Sequence, residues 1–293
     1  MRKVFRVLAI SPLSLVLAFS TASAQEYTTV AFPGAVTTVL TGGPNPEGTA
    51  VGDYTDTAGV THGFTLSKGG TFTSFDPPGS AFTTPNYINP EGVIVGGWLD
   101  ESGVSHGFVL NGGEFTTLDF PGAPGTILTG INPSGEIAGE SCEAALCNTI
   151  THSFLLSKKG VFTRFDPPGA ISSAASTVSP SGEVVGIYVD SAGNTHGYVL
   201  DHGTYTTIDV PGAVFTFAGG GNAEGTVVGQ FADSNGVAGG FIWSKGVFTT
   251  FEAPGAGTSS GQGTGASGIN PSGTIVGFYV NSAGAVLGFV RSK

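Results

Sequence analysis

The sequence predicts an all-β fold: a six-bladed β-propeller of four-stranded repeats about 44 residues long, closed by its N-terminal strand. Three observations carry this. Six copies of one unit tile the chain, the glycines fall on the period of that unit, and the two chain ends supply complementary parts of one copy. Composition agrees. Glycine accounts for 49 of 293 residues, and charged residues for only 11%, less than half the usual share of about 25%. With 21 phenylalanines and a positive mean hydropathy, the chain is excluded from the disordered class, which combines few apolar residues with high net charge.

Four ladders define the unit. Pro-Gly recurs with its proline at 33, 78, 121, 168, 211 and 254. An aromatic-Thr-x-apolar-acid run precedes it: Phe72 to Asp76, Phe115 to Asp119, Phe162 to Asp166, Tyr205 to Asp209 and Phe248 to Glu252, with Tyr27 to Ala31 as an acid-free first copy. Asn-Pro-x-Gly or a near match stands at 45–48, 89–92, 132–135, 179–182, 222–225 and 270–273. Val-Gly or Ala-Gly puts glycines at 52, 96, 139, 186, 229 and 277, and Phe or Tyr stands at 64, 108, 154, 198, 241 and 289.

These ladders assign the elements of each unit in order. Asn-Pro-x-Gly suits a type I turn, with Asn first, Pro second and Gly fourth, and joins a first strand to a second. Asp-x-x-Gly turns at 56–59, 100–103, 190–193 and 233–236 lead to a third strand. Ser-Lys-Gly, Asn-Gly-Gly and Asp-His-Gly turns lead to a fourth, and Pro-Gly crosses to the next unit. Residues 26–32 form a lone fourth strand, and the last copy ends after its third. The N-terminal strand is therefore expected to complete the sixth blade and leave no open edge.

Residues 1–24 read as a secretory signal, with Arg2, Lys3 and Arg6, an apolar Val7 to Phe19, and a small-residue cleavage site at Ala22-Ser23-Ala24. That apolar run is about 13 residues, short of the roughly 20 that span a bilayer. The mature domain, 25–293, is expected to be secreted, monomeric and free of membrane insertion. Cleavage leaves seven basic against 21 acidic residues, a net charge of −14, which excludes partners that need clustered Lys and Arg, nucleic acid above all. Export favours a disulfide between Cys142 and Cys147. The rival arrangement is a metal held by Cys142, Cys147 and His152.

The run Asn-Pro-Ser-Gly-x-Ile-Val-Gly-x-Tyr, then His-Gly-Phe, then aromatic-Thr-Thr resembles the probable extracellular HAF repeat family of bacteria, with Gly, or Ser at 153, in place of the family's Ala. The likeness covers essentially all of 26–293. It implies export and a repetitive β architecture, and brings no enzymatic residues.

His62, His106, His152 and His196 share one repeat position. A shared metal is excluded by geometry, because third strands of neighbouring blades stand well over ~10 Å apart whereas zinc needs nitrogens at about 2 Å. Each His instead faces an acid across its hairpin: His62–Asp76, His106–Asp119, His152–Asp166 and His196–Asp209. The expectation is a structural hydrogen-bonded pair.

No cofactor is expected. The first strands (36–41, 82–87, 126–130, 173–177, 215–219, 263–268) carry no carboxylate, His, Lys or Cys, so the axis is expected to lack the titratable groups of acid–base or metal chemistry. Asp53, Asp56, Asp100, Glu101, Glu140, Glu143, Asp190 and Asp233 are expected to form an acidic rim. Ring-and-polar pairs spaced by two recur beside it: Tyr54/Asp56, Trp98/Asp100, Tyr188/Asp190, Phe231/Asp233 and Tyr279/Asn281. Such pairs lie on one side of a strand and are the candidate contacts to a ligand, a sugar among them. The function read from the sequence is a secreted, non-catalytic scaffold for a protein or glycan partner. The alternatives are a multivalent lectin, and a propeller hydrolase or lyase with loop-borne carboxylates.

Overall fold

A computed structural model describes residues 25–292; the secretory signal expected at 1–24 lies outside the described residues. Among the described residues every element is a strand, 24 in all, and they fall into six four-stranded units. The first strand in the chain, β1 (Tyr27–Val30), belongs to the last of these units. Unit one is β2 (Thr37–Gly42), β3 (Ala50–Thr55), β4 (Thr61–Leu66) and β5 (Phe72–Phe75). Unit two is β6 (Ser80–Ile88), β7 (Ile94–Asp100), β8 (Ser105–Asn111) and β9 (Glu114–Thr117). Unit three is β10 (Gly125–Ile131), β11 (Ile137–Cys142), β12 (Thr151–Leu156) and β13 (Phe162–Phe165). Unit four is β14 (Ala170–Val178), β15 (Val184–Asp190), β16 (Thr195–Asp201) and β17 (Thr204–Ile208). Unit five is β18 (Phe215–Gly221), β19 (Thr226–Ala232), β20 (Ala238–Ser244) and β21 (Val247–Phe251). The sixth has β22 (Gly263–Ile269), β23 (Ile275–Val280) and β24 (Val286–Arg291), and β1 pairs antiparallel with β24, Tyr27 opposite Arg291 through Val30 opposite Gly288.

Turn chemistry sets these boundaries. In each Asn-Pro-x-Gly copy or variant, the glycine N–H donates to the carbonyl three residues back, as Gly92 does to Asn89. The Asn89 side chain also accepts from the Val93 N–H. Each Pro-Gly crossing closes the same way, for example Ala123 N–H to Phe120 carbonyl, with Gly122 at φ 79°. Pro at the second position and a positive-φ glycine at the third make these type II turns.

The second and third strands of every unit interlock by one cross-strand pair. Gly52 opposes Phe64, Gly96 Phe108, Gly139 Phe154, Gly186 Tyr198, Gly229 Phe241 and Gly277 Phe289. All six rings are at most 1% exposed. They lie directly over their glycines: a Cβ on Gly96 would stand 2.6 Å from a Phe108 ring carbon and closer still to the Thr84 carbonyl. A fourth-strand aromatic then packs on each ring at 5.4–6.0 Å between centroids, from Phe64–Phe72 to Tyr27–Phe289, the tilted or edge-on geometry that aromatic pairs favour.

The core is divided among the seams between units. The residue before each of these glycines is buried against the following unit: Val51 with Ile88 and Phe108, Val95 with Leu128 and Phe154, Val185 with Ala218 and Phe241. Unit six meets unit one in the same way, Val276 packing with Val30, Leu40 and Phe64.

A second device, absent from the sequence reading, joins the first strands. Each has a register shift toward its end, at Thr41, Asn86, Thr129, Ser176, Gly219 or Ser267, and β6 and β14 have a second near their start, at Ala81 and Ile171. Such a bulge frees a side chain from its own ladder. Thr41 donates to the Pro85 carbonyl, Asn86 to Leu128 at 2.8 Å, Thr129 to Ala175 at 2.6 Å and Ser176 to Ala218 at 2.7 Å. Units one to five are thus tied in series. Gly219 has no side chain with which to continue.

Gly96→Ala is expected to lower stability by about 2–3 kcal/mol through overpacking. Gly103→Ala, with open space around it and φ 81°, should lose only about 1 kcal/mol through left-handed backbone strain. Urea denaturation of the two variants checks the ranking; equal losses would show that the ring contact does not limit the strand approach.

Candidate functional site

Two arrangements gather chemistry-bearing side chains: a repeated histidine cluster on the outer hairpins, and one cavity shared by all six units. The third strand brings each histidine to its fourth-strand acid. Nδ1 lies 2.7 Å from Asp76 in His62, 2.8 Å from Asp119 in His106, 2.9 Å from Asp166 in His152 and 3.0 Å from Asp209 in His196. The opposite nitrogen faces a second acid that the sequence reading did not pair with it: Asp56 at 3.6 Å, Asp100 at 3.6 Å, Glu143 at 3.2 Å and Asp190 at 3.4 Å.

The ring-and-acid pairs do come together, and their meeting point is this histidine. Tyr54, Trp98 and Tyr188 lie over His62, His106 and His196 at 5.1, 4.9 and 4.9 Å. Asp56, Asp100, Asp190 and Asp233 each turn one oxygen onto two backbone N–H groups of their own turn, as Asp56 does with Ala58 and Val60. Asn281 does the same with Ala283 and Ala285. Those bonds favour the charged form and hold the Asp56, Asp100, Asp190 and Asp233 carboxyls below the usual range; for Asp190 the Asn194 side chain is the largest influence. In unit five Phe231 occupies the space a histidine would need, within 2.6 Å of a Cβ built on Gly239. Tyr279 is buried, with its hydroxyl 3.2 Å from Thr29 Oγ1. Nine of the ten candidate ligand contacts are therefore engaged in internal packing and turn formation, whereas Trp98, packed on His106, also lines the cavity described next.

The expectation that the axis lacks titratable groups fails: the second strands bring acids to it, and Tyr87 of the first strand β6 lines the cavity. The residue after each second-strand glycine is Asp53, Gly97, Glu140, Ile187, Gln230 or Phe278. It extends over the first strand of the next unit, as Gly97 stands over Ile127 and Gln230 over Gly265. Five of these positions line a cavity of about 610 Å³, and Asp53 lies 3.5 Å from its wall residue Thr84. Asp53 and Glu140 consequently leave the solvated rim for the interior. Burial, opposed only by hydrogen bonds from Thr84 and Thr151, pushes each carboxyl up to about 7.

The cavity takes wall residues from the first strand of every unit. Its walls are mainly apolar, with Phe82, Ile127, Leu146, Ile187, Phe217 and Phe278, and no Lys, Arg or His lines it. Phe82 and Leu146, 39% and 46% exposed, mark its mouth. Leu146 is presented by the loop closed by the Cys142–Cys147 disulfide, which corrects the rival metal arrangement: both sulfurs are used. That loop crosses to unit two, where the Ala145 carbonyl accepts from the Ser105 N–H at 2.7 Å. Among the described residues no group of three His, Cys, Asp or Glu side chains is placed to hold a metal, and no helix is long and apolar enough to cross a membrane.

Removing one histidine tests the rung. His106→Leu is expected to lower the melting temperature without altering ligand binding, because a half-exposed hydrogen-bonded pair is broken and Asp119 loses its partner. A pH dependence follows for His62 and His196. Burial works against their charge, but Asp76 with Asp56, and Asp209 with Asp190, raise their pKa above 6.5. Their contribution to stability is complete below pH 6.5 and is lost as pH rises through the raised value. Melting temperatures from pH 6 to 8 should fall less steeply in His62→Gln/His196→Gln than in the parent.

No protein-family model and no curated protein matches this sequence. Solved structures do resemble the fold. A protein described as a putative TolB from Agrobacterium tumefaciens matches at TM-score 0.59 and 14% identity, over 86% of this chain and 89% of that one. The Aleuria aurantia lectin, described as six-bladed with a novel fucose recognition mode, matches at 0.53 and 11%, over 90% and 93%. A Xanthomonas campestris gluconolactonase matches at 0.53 and 13%, over 87% of each chain. At such identities the likeness concerns architecture alone: the fold is that of a β-propeller.

Proposed function

We propose that this chain is an exported, non-catalytic β-propeller, a member of the HAF repeat family, that holds a ligand in the cavity at its centre. In this reading the six units close as a ring, with β1 as the outer strand of the sixth blade. The β1–β24 pairing and the Val276–Leu40 packing support closure, and the disulfide supports export.

The observation that carries the reading is the cavity itself: concave, apolar, supplied by all six units and furnished with a few polar groups, as ligand sites are. Its two carboxyls come from units one and three, without a nucleophile–base pair beside them, which favours binding over catalysis. A glycan is the second reading, favoured by the likeness to the Aleuria aurantia lectin. Against it stands the internal use of Tyr54 and Tyr188, whose rings lie on His62 and His196.

Nile red serves as a neutral apolar probe. Its fluorescence is expected to rise with the mature protein, and Ala174→Phe, which fills the cavity, should abolish the rise while leaving the circular dichroism spectrum unchanged. Probe binding that survives Ala174→Phe would overturn the cavity reading. Glycan binding that survives Ala174→Phe and is lost in Tyr188→Ala, outside the cavity lining, would replace it with the lectin reading.

A further inference from the structure

Resting on that reading, we infer that the cavity selects amphipathic cations: molecules with an apolar body and a protonated amine that pairs with Glu140. The walls argue first. Phe82, Ile127, Phe217 and Phe278 offer apolar surface to a hydrocarbon body, and the three rings offer faces that attract a cation. The charge inventory argues next. The lining holds a carboxyl and no basic residue, so a carboxylate ligand would meet repulsion with no compensating cation. Moving an ammonium into such a space is costly unless it finds an opposite charge, and Glu140 is the carboxyl on the wall.

Its surroundings leave that carboxyl available. Of the strands that reach β11, β10 and β14 contain no titratable side chain, His152 of β12 lies between Glu143 and Asp166, and Arg164 of β13 bonds Ser141, whose side chain alternates to the opposite face from Glu140. Asp53, in unit one, is the other acid at the cavity and adds the same sign of charge. Burial lifts Glu140 to about 7, so an incoming ammonium must expel its proton at acid pH and meets a charged partner at alkaline pH. Amine binding therefore tightens as pH rises through 7.

The test uses three isosteric probes, 4-phenylbutylamine, 4-phenylbutanol and 4-phenylbutyrate, with the mature protein in isothermal titration calorimetry at pH 5.5 and 8.5. The amine is expected to bind at least tenfold more tightly than the alcohol at pH 8.5, with the preference shrinking at pH 5.5 and the carboxylate weakest throughout. Glu140→Gln should erase the amine preference and its pH dependence while retaining alcohol binding; Asp53→Asn should retain both. The wild-type pH comparison needs no variant, so a poorly folding Glu140→Gln protein would not protect the inference. Equal affinities for amine and alcohol at pH 8.5, both lost in Ala174→Phe, would overturn cation selection and leave the cavity reading standing. Failure of all three probes would overturn cation selection, and Nile red binding that ignores Ala174→Phe would separately remove the cavity reading.

Discussion

A buried aromatic ring laid over a glycine on the neighbouring strand is the contact on which the rest of this protein depends. It occurs once in every unit, between second and third strands. The absent Cβ lets ring carbons come within 3.0 Å of where that atom would stand, and the ring covers a backbone that would otherwise lose its packing. Because the site admits no extra atom, the ring contact sets the spacing between the strands. Everything stacked on that ring inherits the spacing: the fourth-strand aromatic on one side, and the valine or alanine before the glycine, which enters the next unit's core. Six small cores at the seams replace the single large core of a globular domain, and this explains how so much glycine coexists with so much phenylalanine.

The histidine rungs and the bulges serve the same architecture at different radii. On the outer hairpins, where sheets are narrower and wetter, each histidine ties third and fourth strands to the second-strand turn through two acids. Near the centre, where first strands of successive units converge, hydrogen bonds from bulge residues replace apolar packing as the link. Polar side chains appear where the backbone leaves carbonyls unpaired, and apolar ones where neighbouring sheets press together. The cavity is the space these converging strands cannot fill.

Much of this was legible because repetition averages out local ambiguity. One Asp-x-x-Gly could be any turn, but the same spacing in several copies identifies strand boundaries, and the His–Asp distances across the hairpin follow from counting residues from its turn. The cavity acids were not legible in that way. Asp53 and Glu140 occupy a repeat position otherwise filled by Gly97, Ile187, Gln230 and Phe278, so periodicity offers no consensus there. The bulges were hidden for a related reason: Thr41, Asn86, Thr129, Ser176 and Ser267 share small size and polarity but not identity. A signal did exist in the small polar residue three positions before most of the Asn-Pro turns.

The glycines, prolines and rings of the sequence by themselves determined the unit, its four strands and the order of its turns, because turn chemistry and strand alternation act over a few residues. Only the tertiary structure decided which side chains face the centre. That depends on how far one unit rotates over the next and on a one-residue bulge in each first strand, quantities set by packing between units. A carboxylate that local pattern assigns to a solvated rim thus ends on the wall of an apolar cavity, and its chemistry changes with its surroundings.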